Sequence, residues 1–180
     1  AGGSLDKMIM GKPLDFTLFT DIALQLCDAV GYIHQQGVIH RDINPANVLL
    51  QEASADFPLG SRAPVAKTIK NPHIKLADFG LAKDKRDDLL SRITFQAGTD
   101  DFSSPQQLAD ARYADERDDI FSLGKTFYEM LTGRVLKNDE LFIPVVMESS
   151  HRTGTMNAFI QKCIEPAREH RWQNIVDMEA

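Results

Sequence analysis

The residues of this chain best suited to chemistry fall in two short segments. His40-Arg41-Asp42-Ile43-Asn44-Pro45-Ala46-Asn47 packs an acid and an amide into one polar run, with Asp42 and Asn47 five positions apart. The second segment is Asp78-Phe79-Gly80. Carboxylate and amide oxygens are hard ligands of the kind that suits Mg²⁺, which keeps several waters and binds through one or two carboxylates plus substrate phosphates. A carboxylate that the metal does not need is free to accept a hydroxyl proton. Gly80 lets the backbone turn sharply after the acid.

These segments need elements to hold them. Phe19, Ile22, Ala23, Leu26, Val30 and Ile33 recur at spacings of three and four, which predicts a helix over Phe16–Gln36. Thr17 or Thr20 is expected to cap its start, and Gly37 to end it. Pro45 makes His40 to Asn47 a loop. Val48-Leu49-Leu50 and Ile74 to Ala77 read as short strands. If they pair, the loops at their ends meet on one edge, bringing Asp42, Asn47 and Asp78 together. Gln51 to His73 reads as an exposed excursion, with a strand near Val65 to Ile69, and Asp84 to Asp101 as a surface loop. Helices are predicted over Glu116–Leu131, Asp139–Glu148, Thr155–Ile164 and Trp172–Met178. The sum is mainly helical with one small strand pair.

Composition narrows the classes. A chain of 180 residues with 43% apolar and 26% charged residues suits one soluble domain with a proper core. Twenty basic against twenty-six acidic residues give a net charge of −6, which argues against a nucleic-acid-binding face. No apolar run approaches the ~20 residues that cross a bilayer, and no signal peptide is visible. Cys27 and Cys163 are too few for a disulfide scaffold or a zinc site, and both read as packing residues. A reducing, cytoplasmic setting is expected. His34, His73, His151 and His170 have no ligand spacing and read as surface or satisfied histidines.

The set His40-Arg41-Asp42, Asn47 and Asp78-Phe79-Gly80 resembles the signature of eukaryotic-type protein kinases. The run His40 to Leu50 is most similar to the bacterial Ser/Thr branch. Gly98-Thr99 with Ser104-Pro105-Gln106 resembles the end of a kinase activation segment, and Asp119 to Gly124 the start of the central helix, whose Asp braces the catalytic loop. Arg171 resembles the late arginine that pairs with the glutamate ending that segment, and Gly2 to Leu5 the stretch beyond the interlobe hinge. The resemblance implies an α+β, mainly helical kinase C-terminal lobe over 1–180. A short antiparallel β element would carry the catalytic loop, a long insert would span about 51–73, and the activation segment about 78–106. Its implied reaction is γ-phosphoryl transfer from Mg²⁺-ATP to a protein hydroxyl. Asp42 would be the base, Asn47 and Asp78 would hold the metal, and Leu49 would lie under the adenine. His40 and Phe79 would stack. Arg41 would answer phosphorylation of the activation segment, with Ser91, Thr94 and, less readily, Thr99 as acceptors.

Three departures qualify this. The 180 residues hold no Gly-rich phosphate loop and no strand lysine with its helix glutamate. Transfer depends on positioning and charge, so the chain alone is expected to bind ATP poorly. The uncovered surface that would meet a small lobe is expected to self-associate or bind a partner. Asn44 stands where Ser/Thr kinases place a lysine, keeping a donor but not its charge, which implies slower transfer. Gln106 stands where the family has a glutamate, so Arg171 is expected to be partly solvated or to have another acid nearby. A buried charge left half-paired would cost roughly 3–5 kcal/mol. Loss of both charges also admits a second class, a kinase-derived lobe that serves as a binding scaffold.

Overall fold

Asp15, rather than Thr17 or Thr20, starts the first long helix. In this computed structural model its carboxylate accepts the Leu18 N–H at 3.0 Å, while Thr20 Oγ1 donates back to the Phe16 carbonyl within the helix. The structure describes residues 3–51, 72–79, 83–84, 100–147 and 150–179. Its helices are α1 (Leu5–Ile9), α2 (Phe16–Gln35), α3 (Pro105–Ala109), α4 (Glu116–Thr132), α5 (Ser150–Cys163) and α6 (Ile175–Glu179). Its strands are β1 (Val38–Ile39), β2 (Val48–Gln51), β3 (His73–Leu76) and β4 (Lys83–Asp84).

α2 buries Phe19, Ile22, Leu26 and Val30, the spacing of one helix face. α4 sits at the centre. Asp115 caps it in a reciprocal pair with Asp118, Gly133 ends it at φ +71°, and nearly every residue from Asp118 to Leu131 is buried. Such all-round burial follows from having α2 on one side and α5 on another. The Phe127 ring meets Phe19 edge-on at 5.9 Å and Phe159 at 6.2 Å, tying the three helices together. Where α4 crosses α5 there is room only for Gly124: a Cβ there would lie 2.5 Å from Cys163 Cβ. Cys27 and Cys163 are both buried in this packing, as the sequence predicts, and burial raises the Cys163 pKa.

The predicted strand pair forms. β2 and β3 are antiparallel, with Val48 opposite Leu76 and Gln51 opposite His73. Val48 and Leu50 face the core while Leu49 and Gln51 face out, the two-residue period of a one-sided sheet. A second, two-residue pairing joins β1 to β4, so Lys83 and Asp84 belong to a strand and not to the loop. The loop at Pro45–Asn47 closes as one 3₁₀ turn with proline at its first position, where the missing N–H costs nothing.

Three helix expectations need correction. No helix forms over 139–147; Pro144 interrupts it, and side chains of α5 satisfy the extended backbone instead. Asn157 brackets Val145 through both its N–H and its carbonyl, and Thr153 Oγ1 accepts the Met147 N–H. α5 starts at Ser150, earlier than expected. α6 starts later, at Ile175, leaving Trp172 half-buried beside Phe159 under the Lys162 ammonium.

α2 is long and apolar enough to cross a membrane, with mean hydropathy 1.3 over its best window. Asp21, Gln25 and Asp28 interrupt its apolar run. Phe19, Ile22, Leu26 and Val30 are buried in the core, while Leu24 and Tyr32 are exposed. The strand expected near Val65–Ile69 and the surface loop at 85–99 lie outside the described residues.

Candidate active site

The catalytic-loop candidates hang from α4. The buried Asp119 carboxylate accepts the backbone N–H of His40 at 2.9 Å and of Arg41 at 2.8 Å. It also meets His34 Nε2 of α2 at 2.8 Å. This is the brace the resemblance implies. It holds Arg41 at φ +70°, a left-handed conformation that costs a non-glycine residue about 1–3 kcal/mol and persists only when its surroundings enforce it. On the other side of that peptide, Gln107 Nε2 donates to the Arg41 carbonyl, so α3 joins α4 in fixing the loop. Sequence reasoning missed both helpers. His34 could have been found, since it continues the Leu26–Val30 face of α2 and is buried with it. Gln107 carries no such signal.

Asp42, beyond this clamp, is half-buried and bonded through both oxygens. Asn44 Nδ2 donates to Oδ1 and Asn47 Nδ2 to Oδ2, each at 2.9 Å. Asn47 Nδ2 also reaches the Asp42 carbonyl at 2.8 Å. Burial raises the Asp42 pKa, the two amide donors and His40 pull against that, and the nearby Asp78 charge adds to it. The net is a carboxylate more basic than a solvated one. Asn44 Oδ1 meanwhile accepts the N–H groups of Ala46 and Asn47, capping the 3₁₀ turn. The amide of Asn44 is thus spent on Asp42 and on the turn, not held out as the spare donor expected from the sequence.

Strand pairing delivers Asp78 to the same edge. The Ala77 N–H donates to the Asn47 carbonyl at 2.8 Å, continuing the β2–β3 register into the two loops. Asp78 follows at φ +61° and is exposed. His40 Nε2 bonds the Ala77 carbonyl at 3.0 Å, and its ring lies 4.7 Å from the Phe79 ring. The two rings meet at a tilt of 57° rather than stacked, and this contact ties the His40 loop to the Asp78 loop. Leu49 is exposed on β2 and bridges Ser4, while Leu50 N–H bonds the Gly3 carbonyl. Arg41 is buried, with Nε and Nη2 unpartnered among the described residues. Burial lowers its pKa, against the pull of Asp119 and Asp118. Ser91, Thr94 and Thr99, with Gly80 and Gly98, lie outside the described residues.

Arg171 resolves the question raised by Gln106. It is buried, not partly solvated, and its Nη2 donates to Gln106 Oε1 at 2.6 Å. The acid nearby is Asp118, whose Oδ1 lies 3.4 Å from Arg171 Nη1 and whose Oδ2 lies 2.7 Å from Arg168 Nη2. Carbonyls of Glu165, Pro166 and Arg117 take the remaining guanidinium donors.

The site thus joins a carboxylate of raised pKa, Asp42, to two oxygen-bearing groups at adjacent strand ends, Asn47 and Asp78. Comparison with known proteins gives the family. The family model described as "Protein kinase domain" matches residues 1–173. A probable serine/threonine-protein kinase of Clostridium acetobutylicum is 28% identical over 188 aligned residues, covering 97% of this chain and 26% of that protein. Serine/threonine-protein kinase A of a Synechocystis species is 31% identical over 195, covering 97% of the chain and 34% of that protein. Serine/threonine-protein kinase PknB of Mycolicibacterium smegmatis is 27% identical over 176, covering 89% and 25%. The chain therefore spans a quarter to a third of the length of these relatives. With the family model covering nearly all of the 180 residues, the chain belongs to the protein kinase domain family.

Proposed function

We propose that this chain is the larger lobe of a Ser/Thr protein kinase that transfers the γ-phosphoryl group of Mg²⁺-ATP to a protein hydroxyl. The observation that carries the reading is the Asp42 carboxylate, held between Asn44 and Asn47 beside Asp78. A carboxylate keeps about four lone-pair positions, so the two amide bonds orient Asp42 and leave it capacity for the substrate proton. Its raised pKa makes it a better base than a solvated aspartate. Asn47 Nδ2 is engaged by Asp42, which leaves its amide oxygen for a cation, and Asp78 supplies a carboxylate at the adjoining strand end. This small set of oxygens fits Mg²⁺, which completes its shell with water and phosphate. When bound, the ion neutralises phosphate charge; these residues would hold it there. Leu49 offers an exposed apolar surface for a base. Arg41 is the receiver for a phosphate on Ser91, Thr94 or Thr99.

A second reading has its own support. Because both amide donors of Asn44 point to Asp42, nothing at position 44 reaches toward a phosphate, which favours a scaffold descended from a kinase. Two measurements separate the readings. ATP is titrated calorimetrically into the chain with and without Mg²⁺, wild type against Asp78→Ala. Phosphoryl transfer is then measured for this lobe joined to a nucleotide-clamping small lobe, with Asp42→Asn as control. Transfer abolished by Asp42→Asn supports the enzyme. Equal background in both proteins removes it.

A further inference from the structure

Lys125 is a charged residue in an unusual place. It lies on the central helix α4, is 3% exposed, and makes one hydrogen bond among the described residues, to the Leu136 carbonyl. An ammonium has three donors, so two remain. No carboxylate lies within ion-pair distance of it among the described residues. The Phe121 ring lies beneath at 5.6 Å. Asp101, Glu140 and Asp139 favour its charge only from beyond ion-pair distance, and burial outweighs them, so an apolar side chain would fill a structural role at lower cost.

The residue lines a cleft of about 610 Å³ between α3, α4, the end of α5 and the segment 136–142. The segment lining it is extended rather than helical over 141–147. Its walls are mainly apolar, including Leu108, Phe121, Leu136, Leu141 and Phe142. Two acids also line it. Glu140 is tied to Arg134 at 2.7 Å, and Glu165 follows the end of α5, with Lys137 also among the lining residues. Lys125 is thus a buried charge of a cavity sized for a small molecule, whose lining does not include Asp42.

We propose that this cleft binds a small amphipathic carboxylate, with its head group on the Lys125 ammonium and its apolar body against Phe121, Leu108 and Leu141. Burial lowers the lysine pKa to about 8, so the amine is still mainly charged at neutral pH and suits an anion. The inference is independent of phosphoryl transfer.

The test is a calorimetric titration of the 180-residue chain with decanoate below its micellar range, with decanol as the neutral analogue. Decanoate is expected to saturate one site and to lose at least ~10-fold in affinity in Lys125→Met, while decanol binds both proteins alike. Leu108→Trp, which fills the cleft from its exposed rim, is expected to remove both ligands. Should Lys125→Met not fold, the preference for decanoate over decanol and its loss in Leu108→Trp decide the matter. Absence of saturable decanoate binding overturns the assignment, as does binding indifferent to either substitution. A short peptide with an apolar C-terminus that binds in preference to decanoate also overturns it, because the occupant would then be a protein segment.

Discussion

The charge of Arg171 is neutralised from α4 rather than from the end of the activation segment, and this can be measured. Asp118 is fully buried and serves four donors: Ser104 Oγ at 2.6 Å, Arg168 Nη2 at 2.7 Å, the Asp115 N–H at 2.8 Å and Arg171 Nη1 at 3.4 Å. Asp118→Asn keeps the shape but removes the charge and turns an NH₂ group toward donors. Arg171 is then left without a buried counter-charge and Arg168 keeps only Asp115 at 3.3 Å, for which roughly 3–5 kcal/mol is the expected loss. Gln106→Ala removes one bond to Arg171 and one to the Pro166 carbonyl. Because Gln106 is half-exposed, water replaces part of this, and about 1–2 kcal/mol is expected. Urea unfolding separates the two. With a slope of about 2 kcal/mol/M, Asp118→Asn should lower the midpoint by about 1.5–2.5 M and Gln106→Ala by less than about 1 M. Gln106→Glu should gain little, since the new carboxylate meets Arg171 but faces the Pro166 carbonyl where an N–H had donated. If Gln106→Ala proves as costly as Asp118→Asn, the assignment of the counter-charge is wrong.

Three further outcomes follow from the same geometry. Gly124→Ala should destabilise by roughly 1–3 kcal/mol despite its better helix propensity, because the added Cβ lies 2.5 Å from Cys163 Cβ and 2.8 Å from Ile164 Cγ2; an unchanged denaturation midpoint would contradict this. Lys125 has its pKa lowered from 10.5 to about 8, so the folded chain releases that proton while the unfolded chain still holds it. Stability should therefore rise from pH 8 to 10.5, and wild type should gain up to about 3 kcal/mol on Lys125→Met across that window; a pH-independent difference between the two removes the argument. Asp119→Asn should speed hydrogen exchange of the His40 and Arg41 amides by about 10-fold or more, as one anchoring oxygen becomes a donor; unaltered protection there would mean that the brace is not what holds the loop.

What the sequence showed and what it hid divide along a physical line. α2, α4 and the β2–β3 pair were legible because each is specified by local periodicity, with Gly37 and Gly133 at the ends. Asp42, Asn47 and Asp78 were legible together because antiparallel pairing of two short strands leaves their ends no other place. The helix expected at 139–148 does not form over its described residues 139–147, where Pro144 breaks the pattern and side chains of α5 bond the extended backbone. Gln107 and Asp118 were hidden for a different reason. Each works through a partner far along the chain, Gln107 with the Arg41 carbonyl and Asp118 with Arg168 and Arg171, and no spacing rule marks a polar side chain aimed at a distant partner.

That hidden layer is where the chemistry is held. Arg41 sits at φ +70°, and local sequence offers nothing to favour it: the residue is neither glycine nor asparagine. Its conformation is imposed by acceptors and donors from three helices, Asp119 on α4 steadied by His34 on α2, and Gln107 on α3. Any displacement of α3 would loosen the Gln107 bond and with it the peptide that leads into Asp42. A left-handed residue held from three sides is stable only while all three are docked. The strain at Arg41 therefore makes the orientation of Asp42 a property of the surrounding helices, which is why the signature residues carry the family resemblance but do not by themselves determine how Asp42 is poised.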